Sequence, residues 1–148
     1  MSEWHIRVAS NKDADGLQRC MHAAYSVYSE RMGDASLPPL ETDYASEIEN
    51  YPTWVAEADK KIVGGLTMSF NKSRATLSNI AVDTNFQGHG LGRGLMTFAE
   101  AEAKRRGYAT LHLATHELLS ENLAIYRHLG WTETKRENSR VFFEKELS

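Results

Sequence analysis

Apolar residues recur along this chain in two periods, one near 2 and one near 3.6, and the switches between them predict the elements. Residues 4–8, WHIRV, alternate and predict a first strand. From a cap at Asn11 or Asp13, a helix is expected to about Arg31, with Leu17, Cys20, Met21, Ala24 and Val27 or Tyr28 at helical spacing. Pro38-Pro39 predicts a loop over 33–44, and a short helix follows from about Thr42 to Asn50. Strands are predicted at 53–58 (TWVAEA), 62–70 (IVGGLTMSF) and 75–82 (ATLSNIAV), parted by the polar turns ADKK and NKSR. Gly64-Gly65 reads as a bulge signal.

A second long helix is expected from about Gly90 to Arg106. It carries Leu91, Leu95, Phe98 and Ala99 on one face, basic residues in its last turn and Gly107 at its C-terminal left-handed position. Then come a strand at 111–116, a short helix over 121–129 capped by Ser120 and closed by Gly130, and two strands near 131–135 and 140–145. The order β–α–α–β–β–β–α–β–α–β–β predicts an α+β fold. Its mixed, mostly antiparallel sheet has about six or seven strands, with about four helices and one βαβ crossover through the glycine-rich helix. No repeat or linker divides the 148 residues, so 1–148 read as one domain.

Composition narrows the class without naming it. The formal net charge of −3 argues against a general nucleic-acid binder. A single cysteine, Cys20, allows no internal disulfide and suits a reducing, cytoplasmic setting. On a helix face it reads as a small buried hydrophobe rather than a nucleophile. The N-terminus lacks the pattern of a secretory signal, and no apolar run approaches the roughly 18 residues that span a bilayer. No membrane association is expected.

The chemistry starts at NFQGHGLGRGLM, residues 85–96, where Gly88, Gly90, Gly92 and Gly94 alternate at the opening of a good helix. Glycine weakens a helix interior by about 0.5–1 kcal/mol relative to alanine. A helix N-terminus also exposes unpaired N–H groups and partial positive charge, and bare glycines let a large anion reach them. The ordinary alternative is a tight turn with close glycine packing. The segment is not a P-loop, because Gly92 is followed by Arg93 rather than Lys-Ser/Thr. It is not G-x-G-x-x-G either, because the third glycine would fall on Arg93 or Leu95. What remains is a cradle for a pyrophosphate-like anion at a strand-to-helix junction.

These residues resemble the GNAT acyltransferase family. Gln87-Gly88-His89-Gly90-Leu91-Gly92 matches its Q/R-x-x-G-x-G/A motif, and Ile80-Ala81-Val82-Asp83 is similar to the end of its central strand. The run from Glu121 to Trp131 (ENLAIYRHLGW) resembles its second signature. The resemblance implies a three-layer α/β/α arrangement and acetyl-CoA as acyl donor, with no metal. It implies pyrophosphate on the backbone from Gln87 to Arg93, the pantetheine arm along Ile80, Ala81 and Val82, and Asn122 against that arm. By the same resemblance the central strand splays from strand 111–116, and Tyr126 protonates the leaving thiolate. Many members carry a glutamate five positions before Ala81, where this chain has Thr76. The base is therefore open among His116, Glu57, Glu117, a water chain or none.

The acceptor is expected to be a small-molecule amine. Tyr25, Tyr28, Arg31, Pro38, Pro39 and Tyr44 are the residues placed to shape its pocket, with Tyr28, Arg31 and Tyr44 as the leading candidates. The acidic net charge favours a cationic amine. A protein or peptide amine, a non-catalytic CoA-binding regulator and a nucleotide-binding module are the rival readings. A homodimer is a common arrangement in the family.

Overall fold

The computed structural model describes residues 3–28 and 38–147. Seven strands among them form one sheet: β1 (His5–Val8), β2 (Thr53–Ala58), β3 (Lys61–Phe70), β4 (Ala75–Val82), β5 (Thr110–His116), β6 (Thr132–Glu137) and β7 (Arg140–Glu146). Their spatial order is β1-β2-β3-β4-β5-β7-β6. The β4–β5 pair is parallel, and the other neighbouring pairs are antiparallel. The helices are α1 (Ala14–Tyr25), α2 (Pro38–Glu41, a single turn), α3 (Tyr44–Asn50), α4 (Leu91–Arg105) and α5 (Ser120–His128). The expected fold class, strand positions and crossover through the glycine-rich helix are therefore observed.

Alternation along β2 and β3 assigns side chains to two layers of core. Trp54 and Ala56 join the cluster formed with Leu91, Leu95 and Ala99 of α4, and with Leu123 and Tyr126 of α5. Val55 joins Leu17 and Met21 of α1 and Tyr44 of α3 on the opposite face. Gly64 and Gly65 make both approaches close. A Cβ on Gly64 would stand 2.9 Å from Leu91 Cδ2, and one on Gly65 would stand 2.5 Å from Leu17 Cδ1. The bulge that these glycines signal lies beside them. The pairing passes from Ala56 opposite Gly64 to Glu57 opposite Ile62, which leaves Val63 as the extra residue.

Three local expectations are corrected. First, α1 ends at Tyr25 and is followed by a 3-10 turn, Ser26–Tyr28, short of the expected Arg31. Second, the loop predicted at 33–44 contains helical turn α2, which begins at Pro38 itself. Proline is tolerated in the first turn of a helix, because the N–H groups it lacks have no partner there anyway. Third, Ser120 opens α5 from inside the helix without capping it, and its hydroxyl donates to Glu121 Oε1 at 3.1 Å. Asp43, by contrast, caps α3 by accepting from Ala45 N and Ser46 N.

Candidate functional site

The one parallel pair opens the site. β4 and β5 are joined only at Ala75–Leu111 and Thr76–His112, after which the strands part. A second bulge lies at the point of parting. Thr67 faces Asn79 while Met68 faces Leu77, so Ser78 is extra and bends β4. Asp83 N donates to Val63 O at 2.8 Å, which fixes the phase of the ladder. Counting back, Ala81 turns its N–H and C=O to β3, and Ile80 and Val82 turn theirs into the gap. Tyr25 Oη, from α1, donates to Ile80 O at 2.7 Å across that gap.

The glycine-rich segment borders the same opening, and its four glycines divide by cause. Gly88 and Gly90 have φ of +88° and +77°, with nothing within 4 Å of a built Cβ, so conformation selects glycine and leaves open space above it. Gly92 is ordinary helix, its built Cβ lying 3.8 Å from Val82 Cγ2. Gly94 is a packing glycine, because a Cβ there would fall 2.4 Å from Trp4 Cη2. Three glycines thus bear on the cradle, and the fourth seats an indole.

Around this segment runs a groove of about 820 Å³. Ile80, Ala81 and Val82 line it from β4, and Gln87, Gly88, Gly90, Leu91, Gly92 and Arg93 line it from the loop and α4. Asn122 and Tyr126, one helical turn apart on α5, form the opposite wall. No acidic residue stands in the first turn of α4, and the unpaired N–H groups of that turn face an Arg93-lined opening. Open glycines, a helix N-terminus and a strand edge without a neighbouring strand in one groove fit a long ligand with a pyrophosphate and an amide-bearing arm. His89 is the exception among the expected groove residues. Its ring stacks on Phe86 with centroids 4.4 Å apart, and it enters the segment through its backbone. Trp4 Nε1 donates to His89 O at 3.2 Å.

A second cavity, of about 300 Å³, lies on the other side of Tyr25, Ile80 and Tyr126, which line both spaces. Ser78 and Asn79 of the bulge, Thr115 and His116 of β5, and Asn138 and Arg140 of the β6–β7 hairpin complete it, with Pro39 above. Sequence reading did not single out Ser78, Asn79, Asn138 or Arg140. Their separation along the chain hides them, and only the β5–β7 register, which sets His116 opposite Arg140, brings the hairpin to β4.

Tyr126 packs edge-on against Trp131 and tilted against Phe143, with centroids 6.2 and 5.7 Å away. Burial pushes its phenol up to about 12, so it is a neutral donor at physiological pH. His116 Nδ1 accepts from Leu118 N at 3.1 Å. With that lone pair engaged, a neutral ring carries its proton on Nε2 and offers a donor, whereas a base needs a free lone pair. Glu57 lies on β2 beside Arg7 and His5, and neither it nor Glu117 lines either cavity. Thr76 sits at the last joined position of β4 and β5. Burial pushes the Cys20 thiol up to about 12, which leaves it unreactive.

Of the residues expected around the acceptor, Tyr28 lines the large groove. Tyr44 is buried in the core, where its hydroxyl donates to Pro39 O at 2.6 Å. Arg31 lies outside the described residues. No helix among the described residues is long and apolar enough to cross a membrane.

Known proteins share this fold. A crystal structure of PaiA N-acetyltransferase from Thermoplasma acidophilum in complex with coenzyme A has the same fold. It superposes with a TM-score of 0.85 at 19% identity, over 97% of this chain and 99% of that one. The ribosomal-protein-S18-alanine N-acetyltransferase of Escherichia coli superposes with a TM-score of 0.78 at 24% identity, over 99% and 95% of the two chains. In sequence, the [Ribosomal protein bS18]-alanine N-acetyltransferase of Escherichia coli (strain K12) is 45% identical over 59 residues, a segment that spans 40% of each chain. The model of the acetyltransferase (GNAT) family matches residues 18–131, which hold the strand edge, the glycine segment and Tyr126 together. By that match, extending over most of its length, this chain belongs to the GNAT acetyltransferase family.

Proposed function

We propose that this chain transfers an acetyl group from acetyl-CoA to the nitrogen of an amine, by direct attack while donor and acceptor are bound together. One observation carries the reading: two spaces of different size meet at a wall of Tyr25, Ile80 and Tyr126. The larger suits the donor and the smaller an acceptor.

Acetyl-CoA supplies an acyl group already activated as a thioester. The residues have five tasks. The N–H groups of the first turn of α4, with Arg93, hold the pyrophosphate. The gap-facing Ile80 N–H and Val82 C=O align the amide-bearing arm, beside Asn122. The Val82 N–H is the donor available to the thioester oxygen as negative charge develops there. Tyr126 gives its phenolic proton to the sulfur as the new C–N bond forms and the C–S bond breaks. The attacking amine enters neutral and releases its extra proton to water, and water returns a proton to the Tyr126 phenolate. His116, as an Nε2–H donor, positions the acceptor.

A second reading is that the acceptor amine belongs to a protein. It is favoured by the segment shared with the Escherichia coli enzyme, which is named for an alanine of ribosomal protein bS18.

The test is calorimetric titration of the purified chain with acetyl-CoA, and separately with ATP and NAD, followed by thiol-release assays with amine acceptors. Micromolar binding of acetyl-CoA alone, with turnover that Tyr126→Phe lowers by about 10²–10⁴-fold at unchanged donor affinity, is the expected result. Absence of acetyl-CoA binding overturns the reading. Binding with no turnover on any amine, free or peptide-borne, makes the protein a CoA sensor.

A further inference from the structure

The smaller cavity has a charge pattern that the net charge of the chain conceals. Among its described lining residues there is no Asp or Glu, while Arg140 brings a full positive charge to it. Of the nearby carboxylates, Glu47 accepts from the lining Asn79 Nδ2 at 3.3 Å, and Glu133 is held by Arg127 and Arg136. Glu137, opposite Arg140 on β6, pairs with Lys135 Nζ at 3.3 Å, and Glu117 adjoins His116 with its N–H on Ser139 O. None of the four lines the cavity. Arg140 stands directly opposite His116 in the β5–β7 register, and both line the cavity.

A guanidinium opposite an imidazole Nε2–H, with no acid lining the cavity, presents two donors that an anion can accept from. The Arg140 guanidinium lies 5.4 Å from the centroid of Phe142, and a face-on contact of this kind leaves the N–H edge of the fork free for a bidentate acceptor. Asn138, held at φ +53° in the hairpin turn, adds a lining amide. Tyr126 and Ile80 line this cavity and the larger groove alike, so the acceptor nitrogen must meet the donor beside them. The remaining wall is neutral: Ser78, Asn79 and Thr115 beside leucines. A molecule filling about 300 Å³ with its amine beside Tyr126 therefore also meets the cation of Arg140.

We propose that the acceptor is a small amine that also bears a carboxylate, an amino-acid-type molecule, and that Arg140 with His116 binds this carboxylate. This rests on the acetyltransferase reading above. A polyamine fits poorly, because no acid lines the cavity to hold its second charge and Arg140 repels it.

The test uses the full chain, saturating acetyl-CoA and thiol release. The acceptors are proteinogenic amino acids, the same amino acids as carboxamides, putrescine, spermidine and a short peptide with N-terminal alanine. The expected result is a kcat/KM at least about 10-fold higher for an amino acid than for its own carboxamide. Arg140→Ala should erase that ratio by raising KM for the acid and leaving KM for the amide in place, and Arg140→Lys should restore part of it. Equal or better use of the carboxamides, polyamines or peptide overturns the proposal, as does an Arg140→Ala loss that is equal for acid and amide. If acetyl-CoA binds by calorimetry but no amino acid is acetylated, this proposal falls while the donor assignment stands. If acetyl-CoA does not bind, the acetyltransferase reading itself has failed.

Discussion

The indole of Trp4 occupies the place where Gly94 would carry a side chain, with Cη2 2.4 Å from the position of a Cβ. The same indole donates through Nε1 to His89 O, so the residue before β1 is tied both to α4 and to the loop that precedes it. Gly94→Ala gains about 0.5–1 kcal/mol in helix propensity. It also forces an aromatic ring off its seat, an overpacking cost of about 1–3 kcal/mol. A net loss of stability is expected, read as a lowered Tm in a thermal melt. Combined with Trp4→Ala, the same substitution should lose its penalty. Additive effects in that double-mutant cycle would mean that the two residues do not couple.

Gly92→Glu separates packing from binding, because the family motif itself accepts alanine at this position. The built Cβ meets only Val82 Cγ2 at an ordinary 3.8 Å, and the backbone there is helical. The variant should fold with unchanged or slightly raised stability, since an acid suits the first turn of a helix, yet bind acetyl-CoA at least about 10-fold more weakly, because a carboxylate now stands on the groove. Calorimetry alongside a melt reads both. Unchanged affinity would return Gly92 to a purely structural role.

Burial of Tyr126 sets the alkaline limb of the rate profile. A phenol at its ordinary value of about 10 would lose its proton, and with it the donor function, between about pH 9 and 11. Held up at about 12, Tyr126 remains protonated through that range. The measured kcat should show no alkaline decline up to about pH 10.5. A decline centred near 10 that disappears in Tyr126→Phe would contradict the buried-donor assignment.

At the other end of the sheet, Arg7 makes two 2.9 Å hydrogen bonds to Asp13, whose Oδ2 also accepts from Ser10 N. The guanidinium holds the Asp13 carboxyl below the usual carboxylate range. Because the folded pKa is depressed, the pair's contribution is present above the unfolded value of about 3.9 and is lost as pH falls through the folded one. Asp13→Asn should cost about 1–2 kcal/mol at pH 7, discounted for the partial exposure of Arg7. Denaturant melts from pH 5 down to 2 should fall less steeply for the variant than for the parent. Parallel slopes would show that Asp13 does not carry the acid sensitivity.

Much of this architecture is local enough to read without coordinates. The strand at 53–58 and the α4 boundaries follow from alternation, helical spacing and Gly107, whose φ of +94° closes the helix. The helical turn at Pro38 did not follow, because the sequence rule that proline breaks helices does not state where in the helix the proline falls. The alternating glycines suggested one role for all four. In three dimensions Gly88 and Gly90 answer to backbone angle, and Gly94 answers to Trp4, a residue 90 positions away in the sequence.

The sequence by itself determined the strands and the long helix α4, their order, the glycine pattern of the βα junction and the family resemblance carried by residues 80–92 and 121–131. Each of these depends on neighbours along the chain, where periodicity and capping chemistry act. The tertiary structure decided what the donor groove faces. The parting of β4 from β5, the bulge at Ser78, the Tyr25 hydrogen bond to Ile80 O and the placing of Arg140 opposite His116 all arise from strand register. Register is settled by which faces are buried together across the whole sheet, so no local stretch of the chain encodes it.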